Sequence, residues 1–188
     1  MARQSNNHIM KGTRGMFGKQ VVFKERYGEQ FLSAPPNVKE NRKPTPNQQA
    51  AQERFKTCSD YSIDAMKDSV MKAAYQKVAA RGQTAQNMAF KDAYYPPEIL
   101  NIISQGYTGT LGNIIVVHAV DDFKVARVNV QILNSNNELI EEGDAATDKH
   151  GVLWVYTTSI ANANVPGSII RAAAFDIPGN EAAFLVNV

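Results

Sequence analysis

Between about residues 46 and 95 the apolar residues of this chain recur every three or four positions, and from Ile114 onward they recur every second position. A period of two buries one face of a strand and a period near 3.6 one face of a helix, so no single element serves both halves. Ala126, Val128, Val130 and Ile132 alternate with Arg127, Asn129 and Gln131, which predicts a strand over 125–133 with one buried and one wet face. Strands are also expected over 113–120, 138–146, 152–158, 168–176 and 181–188. Asn134-Ser135-Asn136-Asn137, His150-Gly151, Pro166-Gly167 and Pro178-Gly179-Asn180 supply the turns. Six strands with this spacing predict an all-β sandwich.

Ahead of it the signals are helical. Thr45-Pro46-Asn47-Gln48 combines a Thr N-cap, Pro at the first helical position and the Gln of a capping box. Ala51, Phe55, Cys58, Ser62 and Ala65 then form one apolar stripe, with Cys58 expected to face the core. Asp68 caps a second helix with Val70, Met71, Ala74, Tyr75 and Val78 on one face, stopped at Arg81-Gly82. Thr84 starts a third, carrying Met88, Ala89 and Ala93, which ends before Pro96-Pro97. The first region has Gly12, Gly15 and Gly18 at every third position. Val21, Val22, Phe23, Phe31 and Leu32 follow around Gly28, the pattern of a β-hairpin. Residues 37–44 read as a polar, proline-bounded linker. The fold expected is α+β: a basic hairpin arm and linker over 1–45, a short three-helix connector over 46–95, and a β-sandwich over 96–188.

Charge follows the same divisions. Residues 1–45 hold nine Lys or Arg against three Glu, residues 46–95 seven against five acids, and residues 96–188 four against ten, or +6, +2 and −6. Such polarity fits a basic arm that meets either nucleic acid or the acidic domain of another subunit. With 188 residues, 44% hydrophobic and 20% charged, the chain can bury a core unaided, so disorder and low-complexity scaffolds are excluded. The single Cys58 rules out an internal disulfide and a cysteine-rich zinc cluster. No signal peptide is recognisable and no apolar run is long enough to span a membrane, which leaves a cytoplasmic, virion-associated or unusually exported protein.

Three stretches resemble bacterial immunoglobulin-like modules: residues 119–130, beginning Ala119-Val120-Asp121-Asp122-Phe123, the isolated Gly151-Val152-Leu153-Trp154, and Ala172-Ala173-Ala174-Phe175-Asp176-Ile177-Pro178-Gly179-Asn180. The resemblance covers roughly the last 80 residues and implies a binding or spacing unit without chemistry of its own. A minimal sandwich of this type has about seven strands, so six suggest that one is supplied from elsewhere. The opening, from Lys11-Gly12 through Phe23 to Gln48-Gln49 and Arg54-Phe55, resembles an uncharacterised bacterial family with a basic glycine-rich hairpin followed by a helix.

Candidate chemistry is sparse. Gly12, Gly15, Gly18 and Lys19 suggest a phosphate loop, but a strand rather than a helix follows them. Lys11, Arg14, Lys19, Lys24 and Arg26 interleave with Phe17, Phe23, Tyr27 and Phe31, residues that could stack bases, although no recognition motif accompanies them. Asp121, Asp122, Glu141, Glu142, Asp144, Asp148 and Asp176 could offer oxygen ligands to Ca²⁺, but no loop has EF-hand spacing, and turn capping or solvated surface explains most of them. His8, His118 and His150 form no metal-binding pair, and Cys58 and Trp154 read as core. No catalytic residue, cofactor or metal is expected. The expected function is non-enzymatic, head-to-tail self-assembly into a filament, sheath or phage-type particle. Its arm is Lys19, Val21, Val22, Phe23, Lys24, Arg26, Tyr27, Phe31 and Leu32. The acceptor surface on a neighbouring sandwich is Asp121, Asp122, Glu141, Glu142, Asp144 and Asp148, and nucleic-acid binding through the arm is the alternative.

Overall fold

A computed structural model of the chain describes residues 2–4, 12–26, 28–37 and 43–188, with the backbone alone for 2–4. The chain divides into two units, residues 1–49 and 50–188. In the first, Gly18 and Lys19 take φ of 57° and 55° and the Gln20 amide donates to the Phe17 carbonyl over 3.1 Å. This mirror-image turn matches the twist of antiparallel strands and joins β2 (Gly15–Phe17) to β3 (Val21–Arg26). β3 pairs with β4 (Glu29–Ser33) in the register Phe23↔Leu32 and Lys24↔Phe31, and Gly28 takes φ 78° in the connection. β1 (Ala2–Gln4) lies outside β4, giving the order β1-β4-β3-β2.

The expected hairpin is therefore the middle of a four-stranded sheet. The main chain of residues 22–23 is paired on both sides, to β2 and β4, and that of residues 30–32 to β3 and β1. Among the described residues those segments have no free edge, and the outer strands of the sheet are β1 and β2. Tyr27 and residues 38–42 of the expected linker lie outside the described residues.

α1 (Pro46–Ala65) begins with the capping box in place: the Gln48 amide donates to Thr45 Oγ1 at 3.4 Å and the Thr45 amide to Gln48 Oε1 at 3.1 Å. Its stripe is narrower than expected, because only Cys58 and Ser62 are buried while Phe55 is exposed and meets Phe90 with ring centroids 4.9 Å apart. α2 (Ser69–Val78) starts at Asp68, whose carboxylate accepts from Val70 and Met71 amides, and buries Tyr75; Val70 and Val78 face outward. α3 (Ala85–Tyr94) starts at Thr84 and buries Ala85, Met88, Ala89 and Asp92. Tyr75, Ala85, Met88 and Ala89 make a small core against which Phe123 of the sandwich packs. No helix among the described residues is long and apolar enough to cross a membrane.

The sandwich runs β5 (Glu98–Ile103), β6 (Ile114–Val120), β7 (Val125–Leu133), β8 (Leu139–Asp144), β9 (Ala146–Thr147), β10 (Leu153–Thr157), β11 (Ile169–Asp176) and β12 (Glu181–Asn187). One antiparallel sheet has the order β5-β6-β10-β9 and the other β12-β11-β7-β8. Lettered in chain order, these are the A-B-E-D and G-F-C-C′ arrangements of an immunoglobulin-like sandwich. Ile115, Val117, Trp154 and Tyr156 from one sheet and Val128, Val130, Ile132, Ile170, Ala172 and Ala174 from the other line the core between them.

Eight strands complete the sandwich, so the expected missing strand is not missing. β5 escapes a period-two reading because the register shifts between Ile99 and Asn101, which leaves Leu100 exposed and spaces the buried Ile99 and Ile102 three apart. The expected strand over 138–146 is two elements. β8 lies in one sheet and β9 in the other, and Ala145 between them donates its amide to the Val128 carbonyl at 2.8 Å. Ala126, expected inside, is exposed because a bulge opposite Phe175 and Asp176 turns Val125 inward instead.

Candidate functional site

Three carboxylates from three elements meet where α3 approaches the end of the sandwich. Asp92 comes from the last turn of α3, Asp121 from the turn after β6 and Asp176 from the end of β11, and one oxygen of each lies within 4.8 Å of the other two. Each is placed by local chemistry. Asp121 Oδ2 accepts the amides of Phe123 and Lys124 at 3.2 and 2.9 Å, an Asx turn that reverses the chain into β7. Asp176 Oδ1 accepts those of Gly179 and Asn180 at 2.7 and 2.6 Å. Asn180 Nδ2 donates to Asp176 Oδ2 at 2.7 Å and to the carbonyls of Asp92 and Ala93 at 3.3 and 3.2 Å, which ties the β11–β12 turn to the C-terminal end of α3.

Asp92 is the deepest of the three, at 0% exposure. Tyr75 donates its hydroxyl to Asp92 Oδ2 at 2.5 Å, and Tyr61 and Tyr75 share a hydrogen bond of 2.9 Å behind it. When Asp92 is ionised its buried Oδ1 has no donor, and a proton on Asp92 lets the carboxyl bond to Asp121. Burial pushes the Asp92 carboxyl up to about 8, and the side-chain hydrogen bond with Asp121 and the charges of Asp121 and Asp176 push the same way against the opposing Tyr75 hydrogen bond. Burial also raises Asp176 and, helped by its bond to Asp92, Tyr75. Lys91, close by in sequence, is engaged by Asp122 at 2.6 Å.

Asp92 carries no acidic-loop signature, because it sits in a helix. The available signal was an Asp on the buried face of α3, three residues beyond Ala89 and four beyond Met88.

The expected acidic acceptor surface does not form one patch. Glu141 is 4% exposed and its carboxylate accepts from the amide and hydroxyl of Ser159, so it belongs to the interior. That corrects its place in the surface: bulge-shifted pairing between β7 and β8 turns it inward. Asp121 faces the carboxylate cluster and Asp122 is paired with Lys91. Asp148 Oδ1 caps the β9–β10 turn, accepting from His150, Val152 and Leu153. Glu142 and Asp144 remain exposed on β8, where Asp144 meets Arg127 at 3.3 Å and Asn129 Nδ2 at 3.1 Å.

On the arm, Lys19, Lys24 and Arg26 are exposed, Val21, Val22, Phe23, Phe31 and Leu32 are half-buried, and Met16 and Phe17 of β2 are 55% and 74% exposed. Arg14 pairs with Glu25 at 2.6 Å. Cys58 is buried, directs its thiol to the Ala93 carbonyl at 3.3 Å, and is raised by desolvation, the environment of a core thiol.

No protein-family model matches the chain, and no curated protein matches it. Among solved structures it is similar to CopC from Methylosinus trichosporium OB3b, with 10% identity over 47% of this chain and 87% of that one and a TM-score of 0.36. An engineered protein has 14% identity over 55% of this chain and 25% of that one, also at a TM-score of 0.36. Similarity at this level carries no argument about function.

Proposed function

We propose that this chain is a non-enzymatic assembly subunit, whose N-terminal sheet engages the sandwich of a second copy to build a filament, sheath or particle. One observation carries the reading: among the described residues of 1–49 none is buried, although the sheet bears Met16, Phe17, Val21, Phe23, Phe31 and Leu32. Sheets are stable as packed layers, and the described residues of this unit include no second layer. Its edge strand β2 adds two exposed apolar side chains to an open row of main-chain donors and acceptors, the combination that recruits another strand.

The acceptor that fits is β8. It is the outer strand of its sheet, it carries exposed Glu142 and Asp144, and Leu139 at its start is exposed beside them. Pairing β2 with β8 sets Lys19 and the basic face of the arm near those acids, and the +6 and −6 segments orient the encounter. Contact between different surfaces of identical chains is head-to-tail and propagates. The resemblance to immunoglobulin-like spacing modules supports the same reading.

Sedimentation velocity and negative-stain microscopy test it. The full-length protein should assemble, Phe17→Asp should remain a monomer, and the double variant Glu142→Lys, Asp144→Lys should do the same. Added salt should slow assembly more than it dissolves what has formed. A monomeric full-length protein at high concentration, or variants that assemble like the parent, would overturn the proposal. Sub-micromolar binding of DNA or RNA at physiological salt, lost on neutralising Lys19, Lys24 and Arg26, would move the arm's role to nucleic acid instead.

A further inference from the structure

We propose that Asp92, Asp121 and Asp176 hold a calcium ion that fastens α3 to the end of the sandwich. One feature points to a bound cation beyond the gathering of acids. Asp92 is wholly inaccessible, yet when ionised its Oδ1 has no donor while Oδ2 is taken by Tyr75. A buried carboxylate oxygen left unsatisfied is costly, and the groups gathered with Asp92 are two further carboxylates. Asp121 commits Oδ2 to backbone amides, whereas Asp176 commits Oδ1 to amides and Oδ2 to Asn180 Nδ2, so a cation at Asp176 would share an oxygen that already accepts a hydrogen bond.

The donor set suits Ca²⁺, which takes carboxylate oxygens at about 2.3 to 2.6 Å in a flexible shell, better than Mg²⁺, which demands near-ideal octahedral geometry at about 2.0 to 2.1 Å. The three oxygens lie within 4.8 Å of one another, inside the span of roughly 5 Å that a Ca²⁺ shell reaches. A proton bridges only two of the three oxygens, through a short O–H···O⁻ bond of about 2.5 to 2.7 Å, whereas a cation engages all three. Asp92 and Asp176 are buried and Asp121 is half-exposed, so the ion and the waters that complete its shell enter on the Asp121 side. Because the three ligands come from α3, the β6–β7 turn and β11, binding joins the helical segment to both sheets of the sandwich.

The experiment uses the full-length protein stripped with chelator at slightly alkaline pH. Millimolar CaCl₂ should raise the melting temperature by several degrees, with MgCl₂ at the same concentration giving a clearly smaller rise. Tb³⁺ should show luminescence excited through Tyr75 and Tyr61, which lie behind Asp92, and Ca²⁺ should compete it away. Asp92→Asn should lose both responses. Asp121→Asn, at a half-exposed position that folding tolerates more readily, should lose them as well, whereas Asp122→Asn should keep them. The proposal is overturned if Ca²⁺ shifts nothing in the parent protein. Equal shifts in Asp92→Asn and Asp121→Asn overturn it too, as does a cluster that responds to pH alone and ignores Ca²⁺.

Discussion

Replacing Trp154 by Ala removes the largest side chain of the sandwich core. The ring is 5% exposed and sits on β10 between Val117 of β6 and Thr147 of β9, packed among the buried residues of both sheets. At ~25 cal/mol per Å² over roughly 200 Å² of ring surface, its burial is worth ~5 kcal/mol. Measured aromatic-to-alanine losses in cores are about 3 to 5 kcal/mol, and that range is the expectation here. The indole Nε1 is itself buried without an acceptor, a defect that costs about 1 to 3 kcal/mol. Trp154→Phe deletes that N–H along with part of the ring area, a loss of ~1 kcal/mol at the same surface coefficient, so the two effects nearly cancel. Trp154→Phe should therefore lie within about 1 kcal/mol of the parent while Trp154→Ala falls far below it. Urea titrations followed by far-UV circular dichroism measure both, because the single tryptophan is lost as a fluorescent probe. A Trp154→Ala loss under about 1 kcal/mol would refute the placement of the ring in the core. A Trp154→Phe loss as large as that of Trp154→Ala would refute the argument from the unpaired N–H.

Stability of the chelated protein should fall as pH rises from about 4 to about 8, because folded Asp92 keeps a proton there that the unfolded chain has released. That contribution is fully present below the ordinary carboxyl range and lost above about 8, with a slope of at most about 1.4 kcal/mol per pH unit for one proton. Denaturant midpoints across that range check it, and Asp92→Asn should flatten the curve. Tyr75→Phe leaves Asp92 Oδ2 without its donor and should cost about 1 to 3 kcal/mol in the same titration at pH 8, less at pH 5. Gly109→Ala combines φ +77° with a Cβ 2.3 Å from the Asn162 carbonyl oxygen and 2.4 Å from a Val165 methyl. It should cost more than ~2 kcal/mol, whereas Gly151→Ala, with φ +72° and open space, should cost about 1; thermal melts of the two compare clash with backbone strain alone.

Local rules were readable from residues near one another in the chain. Thr45, Asp68 and Thr84 cap the three helices because a cap needs only its own next three amides. The turn at Asn134 to Asn137 and the alternation of Val128, Val130 and Ile132 likewise depend on neighbours, and together they determined the α+β order and the sandwich. Bulges were beyond that reach. The one at Leu100 hid β5 and the one opposite Phe175 exchanged Ala126 for Val125, because a bulge depends on how two strands meet and not on either alone. The hairpin at Gly28 was legible, yet the addition of β1 and β2 outside it is a long-range choice. The carboxylate centre shows the division most sharply. Asp121 and Asp176 were recognisable as turn residues from their own loops. Their meeting with Asp92, separated by 29 and 84 positions along the sequence, exists only once α3 packs against the sandwich, since bringing distant charges into one desolvated place requires the energy of the whole packed core.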